Sequence, residues 1–179
     1  MLENINFCQI CGHKTFLKEI DNRVRPCCTS CGYIVYLDPK VAVVVLISTD
    51  GKLVLIRRAT EPAIGCWSFP SGFVDRGEAL VDAAVREVRE ETGLEVSLKD
   101  FVGVYSKTGD TVLVAVYTAS VIGGNLRPGP EVCDVSLFSP DNLPHLPFPH
   151  DDQILRDWRS LSLQTDRSFI VDKSRTGHH

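Results

Sequence analysis

Residues Gly72–Leu94 read GFVDRGEALVDAAVREVREETGL. A helix is expected over Ala79–Thr92, with Gly93 as its C-terminal stop. On a wheel of about 100° per residue, Glu87 and Glu91 lie about 40° apart, and Glu90 lies about 60° to the other side of Glu87. Leu80, Ala83 and Ala84 fall along the same stripe one or two turns earlier. Three carboxylates therefore converge on a side that is otherwise small and apolar. A solvated helix laced with ion pairs is the plainer alternative, since Asp82–Arg86 and Arg86–Glu90 have suitable spacing. Against it, three like charges on one stripe repel unless something neutralises them. Glutamate oxygens are suitable ligands for hard cations such as Mg²⁺ or Mn²⁺.

Outward from this helix, VAVVVLI (Val41–Ile47) and KLVLIRR (Lys52–Arg58) are β-rich runs joined by a turn at Ser48-Thr49-Asp50-Gly51. Two further strands are expected at Phe101–Ser106 and Val112–Ser120, turning at Gly109-Asp110, and a shorter one at Val135–Phe138. Asp151–Leu161 reads as a closing helix with Ile154, Leu155 and Trp158 on one side. A mixed sheet with helices on both faces accommodates these elements. In the loop before the Ala79–Thr92 helix, Gly65, Gly72 and Gly77 allow close approach of backbone to a ligand, or are simply turn residues. Trp67, Phe69 and Phe73 could stack on a base, and Arg57 or Arg58 could hold a phosphate, although core packing explains them as well.

The chain has 179 residues, 44% hydrophobic and 23% charged, enough for one core and a small appendage. Its net charge of −4 and lack of a long basic run make nucleic acid an unexpected partner. The start lacks the pattern of a signal peptide, and the longest apolar run is too short to span a bilayer. A cytoplasmic protein without membrane contact is the simplest expectation.

Five of the seven cysteines fall in residues 1–35. Cys8-Gln9-Ile10-Cys11-Gly12 and Cys28-Thr29-Ser30-Cys31-Gly32 are two CxxCG knuckles separated by sixteen residues. Two such knuckles can supply Cys8, Cys11, Cys28 and Cys31 to a structural, tetrahedral Zn²⁺. Cys27 competes for the register, but only Cys28 reproduces the repeat. Cys66 and Cys133 read as small packing residues. The expected organisation is a zinc ribbon at 1–38, a core domain at 39–163 and a polar tail at 164–179.

The Gly72–Leu94 segment matches the Nudix signature G-x5-E-x7-R-E-U-x-E-E-x-G-U, where U is a bulky apolar residue. Its fixed positions fall on Gly72, Glu78, Arg86, Glu87, Val88, Glu90, Glu91, Gly93 and Leu94. The chain thus resembles the Nudix hydrolases, and with RVRPCCTSCGYIVYLDPKVAV it resembles the subgroup carrying an N-terminal zinc ribbon. The resemblance implies an α/β/α sandwich with a mixed sheet, plus the ribbon. It implies that Glu87, Glu90 and Glu91 bind Mg²⁺ or Mn²⁺ with the Gly72 carbonyl as a further ligand, and that Arg86, partnered by Glu78, orients the glutamates. Glu131, in Pro128-Gly129-Pro130-Glu131, resembles the further metal-binding glutamate of related enzymes. Homodimers are frequent among relatives, so a homodimer is a possible assembly.

The implied reaction is hydrolysis of a nucleoside diphosphate derivative to a nucleoside monophosphate and X-phosphate. The ribbon and the PGPE segment look most like FAD and ADP-ribose pyrophosphatases. The SQPWPFPxS stretch usual in NADH pyrophosphatases is absent, which sets NADH and NAD-capped RNA second. A Nudix-fold sensor that binds without cutting is the alternative of another class; it would have no need of the intact carboxylates.

Overall fold

The computed structural model describes residues 5–161. They form two compact units parted between Pro39 and Lys40. The polar tail expected at 164–179 lies outside the described residues.

In the first unit, β1 (Thr15–Ile20) and β2 (Arg23–Cys28) pair as an antiparallel hairpin. Ile20 pairs with Arg23, so the turn is Asp21-Asn22, with φ of 51° and 58°. Left-handed backbone at both turn positions matches the twist of the flanking strands, and Asp and Asn tolerate it better than most residues. Cys27 bridges to Ile34, and the Val35 N–H donates to the Pro26 carbonyl, so the chain returns along the other edge of β2. The knuckles are legible in the sequence; the hairpin between them is not.

The second unit is built on β3 (Lys40–Thr49), β4 (Lys52–Arg58), β5 (Trp67–Ser68), β6 (Ser71–Phe73), β7 (Leu94–Tyr105), β8 (Val112–Gly124) and β9 (Val132–Phe138). Its helices are α1 (Leu80–Thr92) and α2 (Asp151–Leu161). The sheet order is β5-β4-β3-β8-β7, with β6 also on β3 and β9 also on β4. The β3–β8 pair is parallel and the others antiparallel, so the sheet is mixed. Alternation along β3 divides the core. Val43, Val45 and Ile47 pack with Ala83, Ala84 and Val88 of α1, whereas Leu46 joins Val116, Phe69 and Ile154 of α2. The helices therefore cover opposite faces, as an α/β/α sandwich requires.

Several boundaries differ from the sequence expectations. Helix α1 starts at Leu80, because Ala79 is extended and acts as the N-cap. Strand β7 begins directly after Gly93 rather than at Phe101, and β8 continues to Gly124. Irregularities at Glu95/Val96, Leu98/Phe101 and Phe101/Gly103 interrupt the β7–β8 register. Bulges of this kind break the period-two pattern by which a strand is recognised. Strand β9 starts at Val132 instead of Val135, and the β3–β4 turn narrows to Asp50-Gly51.

Past that turn β3 and β4 pair only at Ser48–Leu53 and Thr49–Lys52 before they part. Segment 67–73 enters the gap: β5 takes the β4 edge and β6 takes the β3 edge, placing Gly72 opposite Val43. This splay carries the glycine loop onto the face where α1 lies.

Candidate active site and metal centres

The carboxylates of α1 are held by one arginine. Arg86 lies across the helix with Nε 2.7 Å from Glu78 Oε1, Nη1 2.7 Å from Glu87 Oε1 and 3.2 Å from Glu90 Oε2. Its Nη2 donates to Glu78 Oε2 at 2.9 Å and to the Phe73 carbonyl at 3.0 Å. A planar fork with five N–H groups suits this many acceptors, where a lysine does not. The Arg86 hydrogen bonds, with a further one from the Asp75 N–H, pull the Glu78 carboxyl down to about 2. Arg86 itself is raised, first by Glu78. The sequence-predicted Arg86, Glu78, Glu87 and Glu90 are thus brought into one network.

Glu91 sits deeper. Its residue is 9% exposed, and Oε2 accepts the Ser71 N–H at 2.8 Å. Burial pushes its carboxyl up to about 8, and repulsion from Glu87 and Glu131 adds to this. Burial likewise raises Glu87. The stripe read from the sequence is therefore graded in depth: Glu91 is buried, Glu87 is half-buried and Glu90 is exposed. Leu80, by contrast, has left the core and is exposed.

Gly72 is where the loop meets the helix. A Cβ there would lie 2.0 Å from the Glu87 carboxyl carbon, so backbone and carboxylate share a space that any other residue would fill. The C-terminal end of α1 is closed by a distant loop. The Gly93 N–H caps the Arg89 carbonyl, the Arg127 N–H donates to Thr92 O and the Gly129 N–H to Glu91 O. These satisfy carbonyls that a helix end leaves free. The same docking delivers Glu131 two residues later, and its carbonyl accepts the Ala59 N–H at 3.1 Å. Glu131 repels both Glu87 and Glu91, which places it in the same electrostatic site.

Arg58 lies outside the motif, and its sequence context alone does not distinguish a phosphate ligand from a surface charge. A register shift between Arg57 and Arg58 marks a bulge against β9. Bulges re-aim side chains. Arg58 Nε donates to the Pro62 carbonyl at 2.7 Å, its guanidinium lies 5.5 Å from the Phe148 ring centroid, and its charge favours ionised Glu91. Of the aromatic candidates, Phe69 belongs to the core and Trp67 packs edge-on against Phe138. Phe73 stays half exposed, with Lys40 Nζ 5.1 Å from its ring centroid. Arg57 donates to the Gly65 carbonyl.

In the first unit the four knuckle cysteines converge, with ligand atoms all within 4.8 Å of one another. Separations of 3.4 Å (Cys11–Cys28), 3.5 Å (Cys11–Cys31) and 3.7 Å (Cys8–Cys31) compare with the edge of about 3.8 Å that a Zn–S bond of about 2.3 Å gives a tetrahedron. Backbone N–H groups of Ile10, Ser30 and Cys31 point at the sulfurs. The Cys31 N–H leads in lowering the Cys28 thiol to about 6. At Cys31 the Tyr33 N–H is the largest single influence and lowers the thiol, but the neighbouring thiols of Cys11, Cys28 and Cys8 together with desolvation outweigh it and raise the thiol to about 12. Gly12 and Gly32, at φ of 73° and 72°, close the two knuckles. Cys27 is buried but stands outside the converging set.

The model of the NUDIX domain matches residues 37–158, and that of the zinc-ribbon Nudix N-terminal region matches residues 6–37. The chain belongs to the Nudix family. It is 41% identical over 130 residues to an ADP-ribose pyrophosphatase of Methanocaldococcus jannaschii, covering 70% of this chain and 76% of the other. It is 34% identical over 142 residues to the NAD-capped RNA hydrolase NudC of Pseudomonas aeruginosa, covering 79% of this chain and 50% of that one. The chain thus spans about half the length of that NudC relative. A solved NUDIX hydrolase from Nitrosomonas europaea superposes with a TM-score of 0.83 at 28% identity, covering 93% of this chain and 97% of the other. The Nudix chain is a pyrophosphohydrolase of nucleoside diphosphate derivatives, and enzymes of this family need a divalent metal. No helix among the described residues is long and apolar enough to cross a membrane.

Proposed function

We propose that this Nudix enzyme hydrolyses the pyrophosphate of ADP-ribose, with FAD as the next substrate, and releases a nucleoside monophosphate and X-phosphate. The observation that carries the reading is the Glu87 carboxylate against the Gly72 backbone, with Glu91 buried on the Ser71 N–H beside it and both coupled electrostatically to Glu131. The donor set fits a hard divalent cation: it is all oxygen and anionic, and its most buried member gains most from a positive charge. Glu87, Glu90, Glu91, Glu131 and the Gly72 carbonyl would hold Mg²⁺ or Mn²⁺. Such an ion supplies charge that neutralises the diphosphate and makes a bound water more acidic.

The chain's own residues do the rest. Arg86, fixed by Glu78, keeps Glu87 and Glu90 from splaying apart. Ser71 holds Glu91 by one oxygen. Arg58, braced at Nε by Pro62, offers its terminal N–H groups to a phosphoryl oxygen. Phe73 presents an exposed ring beside Gly72 to the base. The oxygen of water forms a bond to one phosphorus, the bridging P–O bond breaks, and a carboxylate takes the water's proton. The ribbon at 1–38 and the hydrolase domain at 39–163 are the working parts of this reading, and a cytoplasmic setting suits it.

Likeness to NudC favours one second reading, cleavage of NADH or of NAD-capped RNA. A panel with Mg²⁺ or Mn²⁺ over ADP-ribose, FAD, NADH and NAD-capped RNA decides between them, with products separated by chromatography. AMP and ribose phosphate from ADP-ribose support the proposal. Turnover of NADH or capped RNA alone overturns it in favour of the second reading. Turnover of none of these compounds overturns both readings of the substrate.

A further inference from the structure

The ribbon hairpin has two unlike faces. Side chains alternate along a strand and directly paired residues share a face. Phe16 pairs with Cys27, Lys18 with Arg25 and Ile20 with Arg23, so Phe16, Lys18, Ile20, Arg23, Arg25 and Cys27 share one face. Glu19 is on the other face, with Leu17 and Val24. The first face therefore carries three cations, and neither strand places a carboxylate on it. None of the three is in an ion pair among the described residues.

Aromatic rings flank these cations. Phe16 is 47% exposed and Tyr36 54% exposed. The Arg25 guanidinium lies 4.5 Å from the Tyr36 ring centroid, and its Nε, sealed from solvent, has no acceptor among the described residues. Cys27 bridges Ile34, which sets residues 33–36 beside β2 and brings Tyr36 level with the Lys18–Arg25 pair. From strand spacings of about 4.8 Å and a rise of about 3.4 Å per residue, Phe16 and Tyr36 stand roughly 12 Å apart. Separate bases could stack on them. The cations cluster toward the Asp21-Asn22 turn, away from the thiolate knuckles at the other end.

We propose that this face of the ribbon binds single-stranded nucleic acid, with Phe16 and Tyr36 stacking bases and Lys18, Arg23 and Arg25 neutralising phosphates. Aromatic platforms interleaved with unpaired cations are the chemistry that such strands need. A polyanion complements this face, although the chain as a whole carries −4. The net charge of −4 averages this face with the acidic remainder of the chain, which is why charge alone lowers the expectation of nucleic acid. The proposal stands apart from the choice of diphosphate substrate.

The test uses the full zinc-loaded chain and a fluorescein-labelled oligo(U) 12-mer, read by fluorescence anisotropy at low salt, with the DNA 12-mer and a duplex as separate arms. Saturable binding that weakens as salt rises is expected, with the duplex bound less well. Phe16→Ala and Tyr36→Ala should each weaken binding about fivefold or more. Lys18→Glu with Arg23→Glu should abolish it. ADP-ribose hydrolysis and zinc content should stay unchanged in all four substitutions, which separates this outcome from failure of the hydrolase reading or of the fold. Equal RNA and DNA binding supports stacking without 2′-OH readout; tighter RNA binding supports an RNA platform. No binding, binding unmoved by these variants, or duplex binding as tight as the single strand overturns the proposal. Self-association lost in the same variants, without oligonucleotide binding, assigns the face to a second copy instead.

Discussion

Glu91→Gln should remove activity when assayed with Mg²⁺ or Mn²⁺, and without those ions it should stabilise the protein at alkaline pH. Burial raises the Glu91 carboxyl from 4.5 to about 8. At about 1.36 kcal/mol per pH unit, the native state forfeits up to about 4–5 kcal/mol once that group is ionised. Between 4.5 and about 8 the native side chain holds a proton that the unfolded chain has released. Stability of the metal-free protein therefore falls as pH rises through that window, and the contribution is fully lost above it. Glutamine keeps an oxygen for the Ser71 N–H and carries no charge. The variant should lose the part of this slope that Glu91 supplies, keeping what the raised carboxyls of Glu87 and Asp151 contribute, and above the window it should be more stable than the parent by about 2–4 kcal/mol. Urea unfolding followed by tryptophan fluorescence measures this in the second unit, because Trp67 and Trp158 are the chain's two tryptophans. Zinc is left in place so that the ribbon is undisturbed. Added Mg²⁺ or Mn²⁺ should stabilise the parent and not the variant, because only the parent offers the buried anionic ligand. Parallel pH curves for the two proteins would refute the reasoning.

Gly72→Ala should cut turnover at least about a hundredfold while moving the unfolding midpoint little. Its Cβ meets the movable carboxylate of Glu87 rather than backbone, so Glu87 is displaced and the fold is not. Gly129→Ala should behave oppositely and cost more than about 2 kcal/mol in urea unfolding, because its Cβ falls 1.8 Å from the Glu90 carbonyl. An unchanged unfolding curve would show that the loop does not seat on α1 this way. Arg86→Lys should lower kcat with little loss of stability, since one ammonium cannot serve Glu78, Glu87, Glu90 and the Phe73 carbonyl together; kinetics beside a thermal melt check both halves. Cys28→Ser should drop bound zinc from about one per chain to near none by elemental analysis.

The site was legible where its geometry is local. A helix fixes the angles among Glu87, Glu90 and Glu91 by spacing alone, and two CxxCG repeats bring their sulfurs together through tight turns of the chain. The pairing of Arg86 with Glu78 followed from the family motif. Residues 94–100 were missed as strand because the β7–β8 bulges erase alternation. The ribbon hairpin was missed because Phe16, Leu17 and Val24 lie exposed, so its strands lack the one-sided apolar pattern.

By itself the sequence determined the helix, its acid stripe, the four thiolates and the family. These depend on covalent order and on the repeat of a single element. Only the tertiary structure decided that Glu91 is the buried carboxylate, that the loop through Gly129 seats on the helix end and delivers Glu131, and that a bulge aims Arg58 toward them. Burial and charge coupling depend on which distant segments close over a residue. Spacing along the chain sets a side chain's direction but not the dielectric around it, and the chemistry of this site lies in that difference.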